Sequence, residues 1–198
     1  MTPTGTQDHP QFDFRIVYDE FHPKIRRYLE RLAGPRDADD VTQDVFVKVS
    51  QALPRFRGDS SLSTWIYRIA TNAAYDRLRS IASHGAADTA LDNETPVEDH
   101  APGVEQTLVR REMSECIDGY LTRLPASYRS VLILSEYEGL SNLEIAEALQ
   151  VTVGIVKIRL HRARARLRKS LGSGCDVYRD NRNELACEPK PTPEPADE

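Results

Sequence analysis

Between Ile81 and Gly103 the sequence loses every trace of helical period, and this one stretch decides how the rest can fold. It is rich in Ala, Asp, Thr, Gly and Pro, with five acidic residues and no Lys or Arg. Such a segment buries too little apolar surface to offset the entropy of ordering it, so it reads as a flexible acidic linker over 81–103. A chain of 198 residues cut there folds as two small units. Each needs only about 60–80 residues for a workable helical core. The units are residues 12–80 and 104–171, followed by a tail over 172–198.

The same division explains the charge. A net charge of −5 argues, taken alone, against a nucleic-acid partner. Counted by segment, residues 12–80 carry 12 Lys+Arg against 10 Asp+Glu, and residues 104–171 carry 11 against 8. The tail holds seven acidic and three basic residues. Two mildly basic blocks are therefore masked by acidic connectors. No window approaches the roughly 18 apolar residues of a membrane span. Met1 to Gln11 lacks the basic start and apolar run of a secretory signal, so a cytoplasmic location is expected.

In the first block Phe14, Val17, Tyr18, Phe21, Ile25, Tyr28, Leu29 and Leu32 recur at helical spacing up to Gly34-Pro35. Pro23 within this stripe predicts a kink or a break. Asp37 is placed to cap a second helix with Val41, Val45, Val49 and Leu53 inward, leaving Asp40, Gln43 and Asp44 on another side. After a loop from Pro54 to Ser63, a third helix runs to about Ser80. Leu62, Trp65, Ile66, Ile69 and Ala73 form its inner stripe, and Arg68, Asn72, Tyr75 and Arg79 line up outward.

In the second block Val109, Met113, Cys116, Ile117, Tyr120, Leu121 and Leu124 form a helical stripe. Pro125 then opens a helix that ends at Gly139. Ser141-Asn142-Leu143-Glu144 is a capping box, the short helix after it stops near Gln150, and Thr152 caps a final helix. Val156, Leu160, Ala163 and Leu167 are its inner residues. Between Val153 and Leu171 this helix holds Lys157, Arg159, Arg162, Arg164, Arg166, Arg168 and Lys169 and no acidic residue. Compensation of the helix dipole needs cations only in the last turn, and these begin well before it. Two short helices, a tight turn and a basic second helix are the pattern of a helix-turn-helix that enters the major groove.

The segments Leu143–Leu149, Val153–Lys157 and Arg159–Arg164 resemble region 4 of extracytoplasmic-function sigma factors of bacterial RNA polymerase. Upstream, Ala38–Phe46, Phe56-Arg57-Gly58, Ser63–Ala70 and Asn72 through Asp76–Arg79 resemble their region 2, in the family's order and with a linker between. The resemblance implies an all-α fold of two small helical domains with a short cysteine-framed C-terminal tail. It implies a factor that brings core polymerase to specific promoters, in a stress or environmental response, without a catalytic site. Asp39, Asp40, Gln43 and Asp44 correspond to the surface that docks a coiled coil of the largest polymerase subunit, and the flap is a further contact. Phe56, Asp59, Ser60 and Ser61, with Arg68, Asn72, Tyr75 and Arg79, correspond to the part that engages the melted promoter element. Phe56 fits a core anchor equally well. Lys157, Ile158 and His161, with Arg159 and Arg162 nearby, face the upstream element. Ile155 and Ile158 stand where Thr and Ser are common; an isoleucine meets a thymine methyl but reads no donor or acceptor. An anti-sigma protein is a conceivable further partner.

The rival reading is a helix-turn-helix repressor or activator that never touches polymerase, its first block serving as a sensor or dimerisation domain. The polar sides of that block speak against an apolar pocket or seam. No phosphate-cradling glycine loop, paired His or nucleophile motif points to an enzyme. Three cysteines do not make a disulfide framework, and no cofactor is implied. Cys175 and Cys187 frame turn formers at Asp180, Asn181 and Asn183, so a small hairpin could bring the two together as a redox or metal-responsive pair. An inert extension is the alternative, since cytosolic thiols are normally reduced.

Overall fold

The computed structural model describes residues 12–84, 117–179 and 185–190. The N-terminal lobe is three helices, α1 (Phe14–Ala33), α2 (Pro35–Ala52) and α3 (Leu62–His84), with a 3-10 turn at Leu53–Arg55. The C-terminal lobe holds α4 (described over 117–122), α5 (Ala126–Glu136), α6 (Asn142–Leu149) and α7 (Val153–Gly174). A hairpin of β1 (Cys175–Arg179) and β2 (Leu185–Pro189) follows directly.

α1 starts where Asp13 accepts a hydrogen bond from the Arg15 amide, at 2.8 Å, and it runs unbroken through Pro23. The expected break is absent. Pro23 is exposed, while Val17, Phe21, Ile25, Tyr28, Leu29 and Leu32 bury one continuous side, so packing outweighs one missing amide. Asp37 does not cap α2. Gly34, with φ 98°, occupies the cap and Pro35 the first turn. Asp37 is buried instead and accepts two hydrogen bonds from Arg77 of α3, at 2.5 and 3.0 Å. α3 begins at Leu62, two residues before the end of the expected loop, because Ser61 Oγ accepts from the Thr64 amide, and it extends to His84, so Ile81–His84 are helix rather than linker. Residues 85–116, including most of the linker and Val109, Met113 and Cys116, lie outside the described part.

The core of the N-terminal lobe is the α1 stripe against Val41, Val45 and Val49 of α2 and Ile66, Tyr67, Ala70 and Ala74 of α3. Its buried polar atoms are paired. Tyr28 and Thr71 share a hydroxyl hydrogen bond of 2.7 Å, and Thr71 donates to the Tyr67 carbonyl. Burial holds the Tyr28 phenol well above its ordinary pKa.

The two lobes touch. α1 packs on α5 and α3 on α6, and the apolar cluster runs continuously across both. Polar joints set the fit. Arg31 Nε is 3.2 Å from Asp118 and its guanidinium lies 4.2 Å from the centre of the Tyr137 ring. The Tyr67 hydroxyl donates to Glu138, Arg68 Nε donates to the Glu147 carbonyl at 3.2 Å, and the Tyr75 and Ser130 hydroxyls are 2.7 Å apart. Arg129 donates to the Leu32 carbonyl at the end of α1, at 3.0 Å, and to Leu124. That carbonyl is one of the helix-end acceptors with no partner of its own. Burial lowers the Arg129 pKa.

Candidate nucleic-acid interface and acidic docking face

The C-terminal lobe is built around α6 and α7. Ser141 Oγ accepts from the Glu144 amide and the Glu144 carboxylate accepts from the Ser141 amide at 2.8 Å, so the capping box is complete. Those hydrogen bonds, led by the backbone amide, hold Glu144 below the usual carboxylate range. Gln150, at φ 54°, is the left-handed residue that ends α6, and Thr152 starts α7 two residues later by accepting from the Ile155 amide. Val156, Leu160 and Ala163 are buried and Leu167 half-buried, so α7 is fixed in rotation.

That rotation sorts the basic residues. Lys157, Ile158, His161 and Arg162 are exposed, Ile158 to 53%. A groove beside them is lined by Asn142, Lys157, His161, Arg164 and Arg168. Arg159, grouped with them from the sequence, is turned the other way. It is half-buried and close enough to Tyr75 of α3 for its charge to act on that phenol. Two further cations are engaged within the protein: Arg164 pairs with Glu136 at 2.5 Å, and the Arg166 guanidinium lies 4.9 Å from the Tyr128 ring centre.

In the N-terminal lobe Asp39, Asp40, Gln43 and Asp44 are all exposed on α2. Asp39 is tied to Arg26 of α1 at 2.7 Å, which raises the Arg26 pKa and spends part of its charge. Asp40 adds to the field that raises Arg77 beside Asp37. Gln43 and Asp44 complete the acidic face.

The loop after α2 is only partly as expected. Asp59 is exposed, Ser60 half-buried, and Ser61 is the hydroxyl that caps α3. Phe56 is a core residue, 7% exposed, with its ring 5.1 Å from Trp65 and 5.8 Å from Phe12. The 3-10 turn swings it inward, so it offers no free wall to a base. Of the outward side of α3, Asn72 and Arg79 are exposed, Arg79 paired with Asp76, while Arg68 and Tyr75 are half-buried under the C-terminal lobe. The joints Arg31, Tyr67, Asp118, Arg129 and Glu138 were not singled out in the sequence. Each lies within an ordinary helical pattern, and only the approach of the lobes gives it a partner.

In the tail, β1 pairs antiparallel with β2 so that Cys175 faces Pro189 and Cys187 faces Val177. The two cysteines are thus two positions out of register. Cys175 is buried, its Sγ 3.5 Å from the Tyr120 hydroxyl. Among the described residues no group of three or more His, Cys, Asp or Glu side chains is arranged to hold a metal, and no helix is long and apolar enough to cross a membrane.

Comparison with known proteins places these features. Residues 17–83 match Sigma-70 region 2 and residues 114–167 match Sigma-70, region 4. The chain is 39% identical over 171 residues to the RNA polymerase sigma-H factor of Pseudomonas aeruginosa, covering 83% of this chain and 88% of that protein. It is 34% identical over 165 residues to the ECF RNA polymerase sigma factor SigW of Bacillus subtilis, covering 80% and 88%. The fold is similar to the sigma factor RpoE of Bartonella quintana, solved with the anti-sigma factor NepR, with a TM-score of 0.66, 23% identity, and 81% and 97% coverage. CnrH, solved with the cytosolic domain of CnrY, has a TM-score of 0.59 at 25% identity, with 81% and 88% covered. Two regions in the family's order, on helices whose exposed faces are acidic in one lobe and basic in the other, make the chain a member of the extracytoplasmic-function group of sigma-70 family sigma factors, which direct RNA polymerase to promoters.

Proposed function

We propose that α2 docks the largest-subunit coiled coil of core polymerase through Asp40, Gln43 and Asp44, that the flap receives the C-terminal lobe, and that promoter reading is divided between α3 and α7. The observation that carries this reading is the rotation of α7, which presents Lys157, Ile158, His161 and Arg162 together while Val156, Leu160 and Ala163 hold the helix to its lobe. An exposed isoleucine between two cations suits a site where a thymine methyl lies beside phosphates or guanine edges. In the N-terminal lobe Asp59, Ser60, Asn72 and Arg79 are accessible to a melted strand, and Arg68 and Tyr75 join them when the lobes separate.

The chain works in the cytoplasm, carries no chemistry of its own and lends specificity to the polymerase. An anti-sigma protein is a fitting partner, since the structurally similar sigma factor RpoE is solved in complex with the anti-sigma factor NepR. Cys175 and Cys187, on one hairpin joined to α7, form a redox- or metal-responsive element. The repressor reading is not favoured, because both polymerase-family regions are present.

The test is promoter-dependent initiation by purified core polymerase with the wild-type chain and with the Asp40→Lys/Asp44→Lys double variant. Reversed charges against a basic coiled coil cost several kcal/mol at a desolvated contact. Core binding is expected to fall at least tenfold with helix content unchanged. Unaltered binding by the double variant removes α2 as the docking face.

A further inference from the structure

We propose that Ile155 and Ile158 of α7 form a methyl-reading pair, so that the upstream element this chain selects carries thymine methyls at two neighbouring base pairs; this rests on the reading of α7 as the helix that enters that element. Ile155 is 39% and Ile158 53% exposed, while Val156 and Leu160 beside them are buried in the core of the C-terminal lobe. Folding gains little from that placement. A β-branched side chain is a weaker helix former than the straight-chain residues, and left in water it brings no burial in return.

The neighbours decide what the pair can serve. Ile155, Ile158 and Arg162 follow at i, i+3 and i+7 and share one outward row, with Lys157 and His161 exposed on its flank. From Val153 to Gly174 the helix holds no carboxylate. Two isoleucines set among cations fit a polyanion that offers methyl groups, and in the major groove of DNA that group is the C5 methyl of thymine. At about 1.5 Å of rise per residue, Ile155 and Ile158 are about 4.5 Å apart along the axis, and inclination of the helix in the groove brings this toward the ~3.4 Å between stacked pairs. Arg162 lies about 6 Å further on, one or two pairs beyond. The isoleucines are also held still. The Ile155 amide donates to Thr152 Oγ at 3.3 Å, which fixes the first turn, and an isoleucine in a helix keeps essentially one χ1 rotamer. Little side-chain entropy is therefore lost on contact. A hydroxyl here would accept several bases. Isoleucine rewards the methyl and disfavours cytosine, whose amino group it would strip of water without a partner.

The experiment uses the full chain assembled with core polymerase. Duplexes with a randomised upstream element are selected by this holoenzyme, and the preferred duplex is rebuilt with deoxyuridine for thymine, one position at a time, for competition binding. The expected result is an element with thymine, on either strand, at two neighbouring pairs, where loss of each methyl weakens wild-type binding about three- to fivefold. Cytosine placed at either position is expected to bind less well than 5-methylcytosine. The Ile155→Ala/Ile158→Ala variant, with helix content unchanged by circular dichroism, is expected to bind thymine and deoxyuridine duplexes alike, and Ile158→Val to keep the discrimination. Wild-type binding indifferent to deoxyuridine overturns the proposal. A double variant that still discriminates overturns it too, because the methyl is then read from elsewhere. If Lys157→Ala and Arg162→Ala also leave the selected duplex bound as before, it is α7 as the reading helix that fails, and the pair falls with it.

Discussion

Of the seven basic residues on α7, three are occupied within the protein: Arg159 toward Tyr75, Arg164 by Glu136 and Arg166 by Tyr128. This narrows the candidate promoter contacts among the basic residues and His161 to Lys157, His161 and Arg162, with Arg168 and Lys169 further along the helix. Lys157→Ala and Arg162→Ala are each expected to weaken promoter binding by about 1–3 kcal/mol where the contact is a base edge, and less but for all sequences where it is a phosphate. Affinity measured on promoter and scrambled duplexes at two salt concentrations separates the cases. Glu136→Ala, by contrast, frees Arg164 and is expected to raise nonspecific affinity and steepen its salt dependence. The Cys175 thiol, buried beside the Tyr120 hydroxyl, is expected to react with an alkylating reagent far more slowly in the folded chain than in denaturant. Equal rates, read by intact-mass spectrometry, would show that the hairpin does not cover it. The candidate promoter-reading residues of α7 were legible from the spacing of the basic residues, but which of them have an internal partner was not. A guanidinium at the surface takes whichever carboxylate or ring lies within reach, and Glu136 and Tyr128 are reached through space from another helix.

At the scale of elements, short-range chemistry set the boundaries that the sequence predicts well. The capping box of α6 and the Thr152 cap of α7 stand where their residues place them, because each satisfies amides only two or three positions away. Ser141→Ala is expected to destabilise the C-terminal lobe by about 1 kcal/mol, read as a lower midpoint in thermal unfolding. The same cap makes acid stability depend on Glu144. Its carboxyl loses its proton more readily in the folded chain, so its contribution is full above its ordinary value of 4.5 and is lost as pH falls through the depressed folded value. Glu144→Gln is therefore expected to flatten the fall in stability at acid pH, with little further change near neutrality beyond a constant offset. Long-range packing decided the other elements. Asp37 follows Gly34-Pro35 like a capping residue, yet Arg77, 40 positions away, draws it into an ion pair. Pro23 sits in α1 without breaking it because the buried stripe continues on both sides.

For the whole molecule, closure of the lobes predicts a response to alkali. Burial, joined for Tyr67 by its hydrogen bond to Glu138, raises the pKa of Tyr67 and Tyr75 above the ordinary value of 10.0. Both protons are held more tightly closed than open, so the closed form keeps its full advantage below that value and loses it as pH rises toward the folded values. The scattering radius is expected to stay constant up to about pH 10 and to grow as pH rises above it, and Tyr67→Phe is expected to lessen the dependence. A radius that stays constant above that pH as well would show that neither phenol is coupled to the joint. Local and periodic chemistry was enough to specify two helical units, the helix-turn-helix, the acidic side of α2 and the basic side of α7. Apolar spacing and caps act over a few residues, and exposed charge follows from which side is left out of the core. Where one lobe sits on the other, and hence the turning of Arg159, the covering of Arg68 and Tyr75, and the burial of Phe56 between Phe12 and Trp65, came only with the folded chain. The outcomes at the joint depend on surfaces that meet across about 50 to 100 positions, as Arg129 does with Leu32 over 97, while Phe56 meets Phe12 across 44, and no local pattern encodes which side chain will be opposite which.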